Sequence, residues 1–488
     1  MKIYNSLSRT KEDFVTIQEG RVGMYVCGPT VYDEPHIGHA RSAYIFDVIR
    51  RFLIYKGYRV TFVRNVTDVD DKIIDKAKKE YANDDAHAAV QKVVRVYLDS
   101  YHEAMDALGI GRPDHEPRAT EYIDKMKRFI QTLIERGVAY IADRDVYFDI
   151  TKAKGYGKLS NQDPEKMEAG ARVAPGEKKR DPLDFALWKA AKELEPSWAS
   201  PWGEGRPGWH IECSVMSSDI LGDEFDIHCG GIDLIFPHHE NEIAQSEGAG
   251  KRFARYWMHN GLLTINNEKM AKSLGNFITI RDFVHKNKDL DYLKLLFLSA
   301  HYRSPVDYTD EKIEGARKSK EKIGIFLRYA NNNIEKYEKV YNEKPNLDQG
   351  SNFITSMKDI KNYKENIEKA MDDDFNMPQA AAEIFNIVHS GNSIKLAYDD
   401  KSNDLIRYLK LKYARDIVQR FASDIFGLFL NDKEDMLLPI ERKIYEERNH
   451  FRQIKDYKKA DEFRQILLRE HNIILEDTKE GTVWRRKI

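Results

Sequence analysis

Three cysteines in 488 residues, Cys27, Cys213 and Cys229, are too few for a disulfide framework and point to a reducing compartment. No uninterrupted apolar run reaches membrane-spanning length, and the stretch from Met1 to Lys11 holds no apolar core for a secretory signal. A cytoplasmic protein with no membrane partner is expected. Net charge is nearly absent: 78 Lys and Arg against 80 Asp and Glu leave -2. That balance excludes no partner, since a neutral chain can carry a basic face for nucleic acid. Also missing are a Walker glycine-lysine loop and a G-x-G-x-x-G fingerprint, so a nucleotide would be held another way. There is no internal repeat, and the length predicts roughly three domains.

What is present centres on Gly28-Pro-Thr-Val-Tyr-Asp-Glu-Pro-His-Ile-Gly-His-Ala-Arg41. The apolar run from Arg21 to Cys27 predicts a buried parallel strand, and helical spacing from Ser42 to Tyr55 predicts the helix after it. A strand end therefore turns into a helix N-terminus, which favours anions. His36 and His39 sit there three residues apart, and Gly38 lets a flat ligand approach the backbone. A second strand, Arg59 to Val66, leads into Thr67-Asp-Val-Asp-Asp-Lys72, a loop expected to face the same crevice. Capping and first-turn charge best account for Asp68, Asp70 and Asp71.

Residues 113–200 are expected as an insertion, with a helix from Ala119 to Glu135, a hairpin turning at Asp143-Arg144-Asp145, and a mobile polar loop over 159–184. The sheet then resumes with a helix from Pro207-Gly-Trp-His-Ile-Glu-Cys213, a strand Phe225–Cys229 and a turn over Gly230–Asp233. A helix with proline in its first turn follows from Pro237, and a lysine-bearing loop occupies 266–276. From about 316 the pattern is helical and charged, ending in two helices, a strand and a basic aromatic tail.

Two constellations carry chemistry. His238 and Glu242, four apart, share a helix face. With Cys27 and Cys213 they offer two thiolates, an imidazole and a carboxylate, a set suited to Zn²⁺. The wide sequence spacing differs from paired-cysteine zinc knuckles and favours a site assembled at a cleft. Core packing of two small buried cysteines accounts for the same spacing equally well. Cys229 fits a packed neighbour, and His228 and His239 could support the ligands. The second constellation is Lys269-Met-Ala-Lys-Ser-Leu-Gly-Asn276, where Lys269 and Lys272 can neutralise a polyphosphate. A lysine-rich loop is ordinarily just solvated; the histidine motif makes this one notable.

Together the histidine and lysine motifs resemble the HIGH and KMSKS pair of class I aminoacyl-tRNA synthetases. Tyr25-Val-Cys-Gly-Pro-Thr-Val-Tyr-Asp33, Asn65-Val-Thr-Asp-Val-Asp-Asp71, Pro207-Gly-Trp-His-Ile-Glu-Cys-Ser214 and Gly230-Gly-Ile-Asp-Leu-Ile-Phe-Pro-His-His-Glu-Asn-Glu242 narrow it to the cysteinyl-tRNA synthetase family. The likeness continues through Met371-Asp-Asp-Asp-Phe-Asn376 to Gly481-Thr-Val-Trp-Arg485, nearly the whole chain. One departure is Ala271, where the lysine loop usually has serine. Modest effects on ATP handling are expected from it.

The resemblance implies an α/β fold: a Rossmann-like parallel-sheet catalytic domain (1–112 and 201–255) interrupted by an inserted connective domain (113–200). A KMSKS-loop and stem-contact region (256–315) follows, then an α-helical bundle that binds tRNA (316–430) and a small C-terminal α+β anticodon-binding region (431–488). It implies one Zn²⁺ per subunit on Cys27, Cys213, His238 and Glu242, holding the substrate cysteine by its thiolate. An apolar pocket separates near-isosteres by only about 10–200-fold, whereas a metal–thiolate bond separates cysteine from serine much further, without an editing domain. Gly28, Thr67, Trp209 and Asp233 are expected around the amino acid, with Asp233 on its ammonium group. His36, Gly38, His39, Lys269, Lys272 and Ser273 are expected to serve ATP, which Mg²⁺ accompanies. Trp484, Arg485 and Arg486 are expected to meet tRNA by stacking and phosphate contact; without the resemblance, a packed amphipathic tail would be favoured. The implied activity is ATP-dependent joining of cysteine to tRNA(Cys) by a monomer. The alternative is a ligase joining cysteine to an amino-sugar small molecule, whose relatives lack the C-terminal region.

Overall fold

The computed structural model describes residues 1–163, 178–345, 358–429, 439–471, 473–478 and 481–486. Most of the polar loop expected at 159–184 lies outside them. The chain forms two compact units, Met1–Leu428 and Phe429–Ile488.

The first unit opens with a hairpin, β1 (Lys2–Asn5) and β2 (Thr10–Asp13). Then come β3 (Arg21–Val26), α1 (Ile37–Tyr55), β4 (Arg59–Arg64), α2 (Asp71–Glu80) and α3 (Ala86–Ala107). β3 is nearly continuously apolar because it is interior to the sheet: Val22, Met24, Tyr25 and Val26 are all buried. Asp70 caps α2 by accepting from the Lys72 N–H at 2.9 Å, as expected, while buried Asp68 instead accepts from the Thr120 backbone N–H at 2.9 Å and from its hydroxyl.

The insertion contributes α4 (Ile123–Glu135) and an antiparallel sheet of β5 (Ala139–Ala142), β6 (Asp145–Phe148), β7 (Phe185–Ala190) and β8 (Gly205–Pro207). Its core joins Met126, Ile130, Phe148 and Trp188 with Ile211 and Val215 of the next helix. Because β8 pairs with β7 through Trp188 and Pro207, this sheet runs past the expected boundary at 200. The loop expected at 159–184 is held at both ends: Leu159 and Asp184 are buried.

α5 (Trp209–Leu221), β9 (Glu224–Gly231), α6 (Glu240–Gly248) and β10 (Phe253–Asn260) return to the main sheet. Its order is β10-β9-β3-β4, every neighbouring pair parallel. Two expectations are corrected here. Gly230 and Gly231 are ladder residues opposite His259 and Asn260, where a turn was expected. They are glycines because a Cβ on Gly230 would meet His239 Cε1 at 2.7 Å and one on Gly231 would meet Asp233 Oδ1 at 2.4 Å. The ladder also carries the sheet to Asn260, beyond 255.

β11 (Leu263–Ile265), β12 (Glu268–Lys269), α7 (Ile280–Asn287), α8 (Asp291–Leu298) and β13 (Val306–Tyr308) follow. The helical part begins with α9 (Asp310–Tyr341), earlier than 316 because Thr309 caps it through the Lys312 N–H. α10 (Lys358–Asp372), α11 (Met377–Asn392) and α12 (Lys401–Val418) pack against one another, and α11 and α12 also pack against α9. Within the second unit, α13 (Pro439–Gln453) and α14 (Tyr457–Glu470) accompany a hairpin of β14 (Ile473–Thr478) and β15 (Gly481–Arg486). The expected basic aromatic tail is thus, over 481–486, a paired strand.

Candidate active site

The carboxyl ends of β3, β4, β9 and β10 open onto a cleft of about 460 Å³. Of the residues singled out from sequence, Cys27, Gly28, His36, Gly38, His39, Thr67, Trp209, Cys213, Asp233, His238 and Lys269 all line it. Glu242 lies just behind the wall, and Lys272 and Ser273 are exposed on the loop above.

The floor is stitched from two loops. Gly28 N–H donates to Asn65 Oδ1 at 2.8 Å, and Thr67 N–H donates to Pro29 O at 3.1 Å. A Cβ on Gly28 would lie 1.6 Å from the Asn65 carbonyl oxygen, so no side chain fits there. The Thr67 hydroxyl donates to Glu212 Oε2 at 2.7 Å, a buried carboxyl pushed well up by burial and by Cys213 beside it. Trp209, 39 % exposed, stacks on His238 with centroids 4.2 Å apart.

The histidine motif forms a reciprocal cap on α1. His36 Nδ1 accepts from the N–H groups of Gly38 (3.1 Å) and His39 (3.3 Å), and His39 Nδ1 accepts from the His36 N–H (3.3 Å). With both Nδ1 atoms accepting, the ring protons reside on Nε2. The rings stack 3.7 Å apart. Burial lowers His36 to about 4; burial and the neighbouring His36 hold His39 well below its ordinary value. Both are neutral donors at pH 7.

The lysine loop is tied directly to this motif. Ile37 N–H donates to Ile278 O (3.1 Å) and Ile280 N–H to Pro35 O (2.9 Å). Asn276 closes the loop on itself, accepting from Ala271 N–H and donating to Lys269 O. Lys272 pairs with Asp33 and sits 5.0 Å over the Phe277 ring.

At the other end of the cleft, Cys27 Sγ lies 3.8 Å from Cys213 Sγ, 3.8 Å from Glu242 Oε1 and 3.3 Å from His239 Nε2. His238 Nε2 is 3.0 Å from Glu242 Oε1. Ligand atoms of Cys27, His238, His239 and Glu242 all fall within 4.8 Å of one another. Three of the four expected ligands, Cys27, His238 and Glu242, fall in this group with His239 as its fourth member, and Cys213 adjoins it through Cys27. Around them, Glu242 Oε2 meets His228 Nε2 at 2.8 Å, His238 meets His210 at 3.0 Å, and His239 meets His259 at 2.8 Å. Burial pushes the Cys27 thiol and the Glu242 carboxyl well up, and holds the surrounding imidazoles down. The half-buried Cys27 sulfur, the buried Cys213 sulfur and the buried Glu242 carboxylate, whose ion-pair partners are imidazoles, form a donor set that suits a divalent cation.

Sequence reasoning missed Arg41, whose buried guanidinium donates to the carbonyls of Gly261 (2.7 Å), Leu262 (2.5 Å), Tyr302 (3.4 Å) and Ser304. It fixes the cleft's β10 wall two residues beyond His39. Its position in the histidine motif was the available signal. His210 and His259 were also missed.

A family model described as the class I (C) tRNA synthetase catalytic domain matches residues 13–318, and a DALR domain model matches 366–431. The chain is 46% identical over 490 residues to a cysteine–tRNA ligase of Finegoldia magna, covering 100% of both, and 45% identical over 500 residues to one of Clostridioides difficile, again covering 100% of both. The chain belongs to the cysteine–tRNA ligase family. A solved methionyl-tRNA synthetase of Mycobacterium tuberculosis in complex with methionyl-adenylate shares its fold, with a TM-score of 0.65 at 16% identity, covering 87% of this chain and 96% of that one.

The expected tRNA contacts stand differently. Trp484 is 7 % exposed, packed with Leu467, Ile473 and Leu475 in the core of the second unit. It offers no open stacking plane. A strand alternating inward and outward turns this indole in, where burying its large apolar surface is favoured. The side chains of Arg485 and Arg486 lie outside what the structure describes.

Proposed function

We propose that this chain activates cysteine with ATP and transfers it to the 3′ end of tRNA(Cys). The observation that carries the reading is the convergence, in one cleft, of the capped histidine pair, Lys269 and the thiol-containing cluster, in a chain matched end to end by cysteine–tRNA ligases.

Cys27, Cys213, His238 and Glu242 would hold one Zn²⁺, with Glu242 presenting Oε1 while His228 restrains Oε2. When bound, the ion supplies a soft Lewis-acid site that selects a thiolate over a hydroxyl. Asp233 takes the substrate ammonium group, and Gly28, Thr67 and Trp209 shape the amino-acid pocket. His36 and His39 donate from Nε2 to ATP phosphate oxygens, and Gly38 leaves room for the nucleotide. The cysteine carboxylate oxygen attacks the α-phosphorus in line. The bond to the β-phosphate oxygen breaks and pyrophosphate leaves, its charge met by Lys269 and by Lys272 once it releases Asp33; Ser273 keeps its place on that loop. A terminal ribose hydroxyl then attacks the acyl carbon and AMP departs. No side-chain nucleophile takes part; alignment and charge stabilisation carry the rate. Mg²⁺ accompanies ATP. A cytoplasmic monomer is proposed, in keeping with three free cysteines and with no helix among the described residues long and apolar enough to cross a membrane.

The amino-sugar ligase reading is disfavoured by the DALR match at 366–431 and by relatives that cover the whole chain. Cysteine-dependent ATP–pyrophosphate exchange followed by charging of total tRNA separates the two. Exchange with charging supports the synthetase, and exchange without charging supports the small-molecule ligase.

A further inference from the structure

Four arginines are buried among the described residues: Arg41, Arg64, Arg206 and Arg448. Three are matched. Arg206 pairs with Asp71 and Glu195, Arg448 pairs with Asp477, and Arg41 spreads its donors over four carbonyls. Arg64 is different. It is 3 % exposed, yet no carboxylate among the described residues pairs with it. Its guanidinium is met by the Ala43 carbonyl at a long 3.5 Å, by the Tyr101 hydroxyl, and by the Phe62 ring with Cζ 5.1 Å from the centroid. A buried cation without an anion is costly, and such groups normally carry a partner.

The position of Arg64 says where that partner comes from. It ends β4, one residue before Asn65, and its Cγ lies 3.3 Å from where a Gly28 Cβ would be. It lines the cleft with Tyr101, Ala43 and Gly28, below the α1 N-terminus. We infer that Arg64 is an anion-binding residue of the cleft, taking an oxyanion of a substrate: the carboxylate of the amino acid or a phosphate oxygen of the nucleotide or tRNA end. This rests on the synthetase reading and adds a residue to it. The planar fork of arginine suits both oxyanions, and the Tyr101 hydroxyl beside it can donate to the same group. Neutralisation by the ligand resolves the unmatched charge, so Arg64 would contribute affinity only when the anion is in place.

The test uses the full-length, metal-loaded protein with Arg64→Gln and Arg64→Lys. Pyrophosphate exchange is measured against cysteine and against ATP, charging is measured against tRNA, and unfolding temperature and zinc content serve as controls. The wild type must first show cysteine-dependent exchange; if it does not, the synthetase reading has failed, and with it this one. Given exchange, Arg64→Gln should raise one KM about tenfold or more, as expected for a lost charge-assisted hydrogen bond, with partial recovery in Arg64→Lys and unchanged zinc content. A rise confined to cysteine identifies the carboxylate, one confined to ATP the nucleotide phosphate, and one confined to tRNA the phosphodiester of its 3′-terminal nucleotide. Constants within twofold of wild type overturn the inference. So does a loss of activity matched by a fall in unfolding temperature or zinc content in both variants, which would make Arg64 a packing residue.

Discussion

Gly28→Ala would put a methyl carbon 1.6 Å from Asn65 O and 2.7 Å from the Asn65 carbonyl carbon. Both are main-chain atoms, so no side-chain rotation relieves the clash. Normal contact is about 3.5 Å, so one loop must move by roughly 2 Å. That movement breaks the Gly28 N–H bond to Asn65 Oδ1 and shifts Cys27, the preceding residue, relative to Cys213. Overpacking of this kind costs about 1–3 kcal/mol. A 1 Å misplacement of reacting groups costs on the order of 100-fold in rate, so a loss of at least that size is expected in cysteine-dependent exchange. Gly315→Ala is the matched control. It sits in α9 with nothing within 4 Å of the added carbon and should be neutral or stabilise the chain by up to about 1 kcal/mol. Exchange by Gly28→Ala within threefold of wild type, at an unchanged unfolding temperature, would refute the steric argument.

Other outcomes follow from the same geometry. Between pH 6.5 and about 4 the unfolded chain protonates His36 and the folded chain does not, so stability falls as pH drops through that window and then levels. The contribution lost is on the order of 3 kcal/mol, and His36→Gln should flatten the profile by that amount in chemical unfolding; parallel profiles would contradict it. Asp374 is buried and accepts from Tyr4 N–H (2.9 Å), the Tyr302 hydroxyl (2.8 Å) and Arg303 Nε (2.9 Å). Asp374→Asn should destabilise the first unit by about 2–3 kcal/mol in denaturant titration. Trp484→Ala should cost the second unit about 3–5 kcal/mol, seen as lost amide-exchange protection over β14 and β15; protection equal to wild type would mean the indole is not a core anchor.

The strand–turn–helix at 21–55 was legible because an apolar run, a Gly-Pro turn and helical periodicity all agree there. The expected ligands were legible in part: thiols, imidazole and carboxylate announce their chemistry, and the fold brings Cys27, His238 and Glu242 into one group from positions up to 215 residues apart, with Cys213 beside Cys27 and with His239, expected only in support, as a member. Arg41 and Asp374 were not legible in the same way. Their partners are backbone groups and side chains on remote segments, which leave no periodic mark. Gly230 and Gly231 mimic a turn because close approach of His239 and Asp233 demands the same residue type. For Trp484 the residues alone favour a packed tail and the resemblance implies a tRNA contact; strand alternation places this side chain inside.

The most direct test is cysteine-dependent ATP–pyrophosphate exchange and tRNA charging by the wild type and by Cys213→Ser, with zinc content measured on both. The account predicts exchange and charging of one tRNA species by the wild type, with both activities and bound zinc lost in the variant. Absence of exchange in metal-replete wild type, or full activity and zinc in Cys213→Ser, would contradict it.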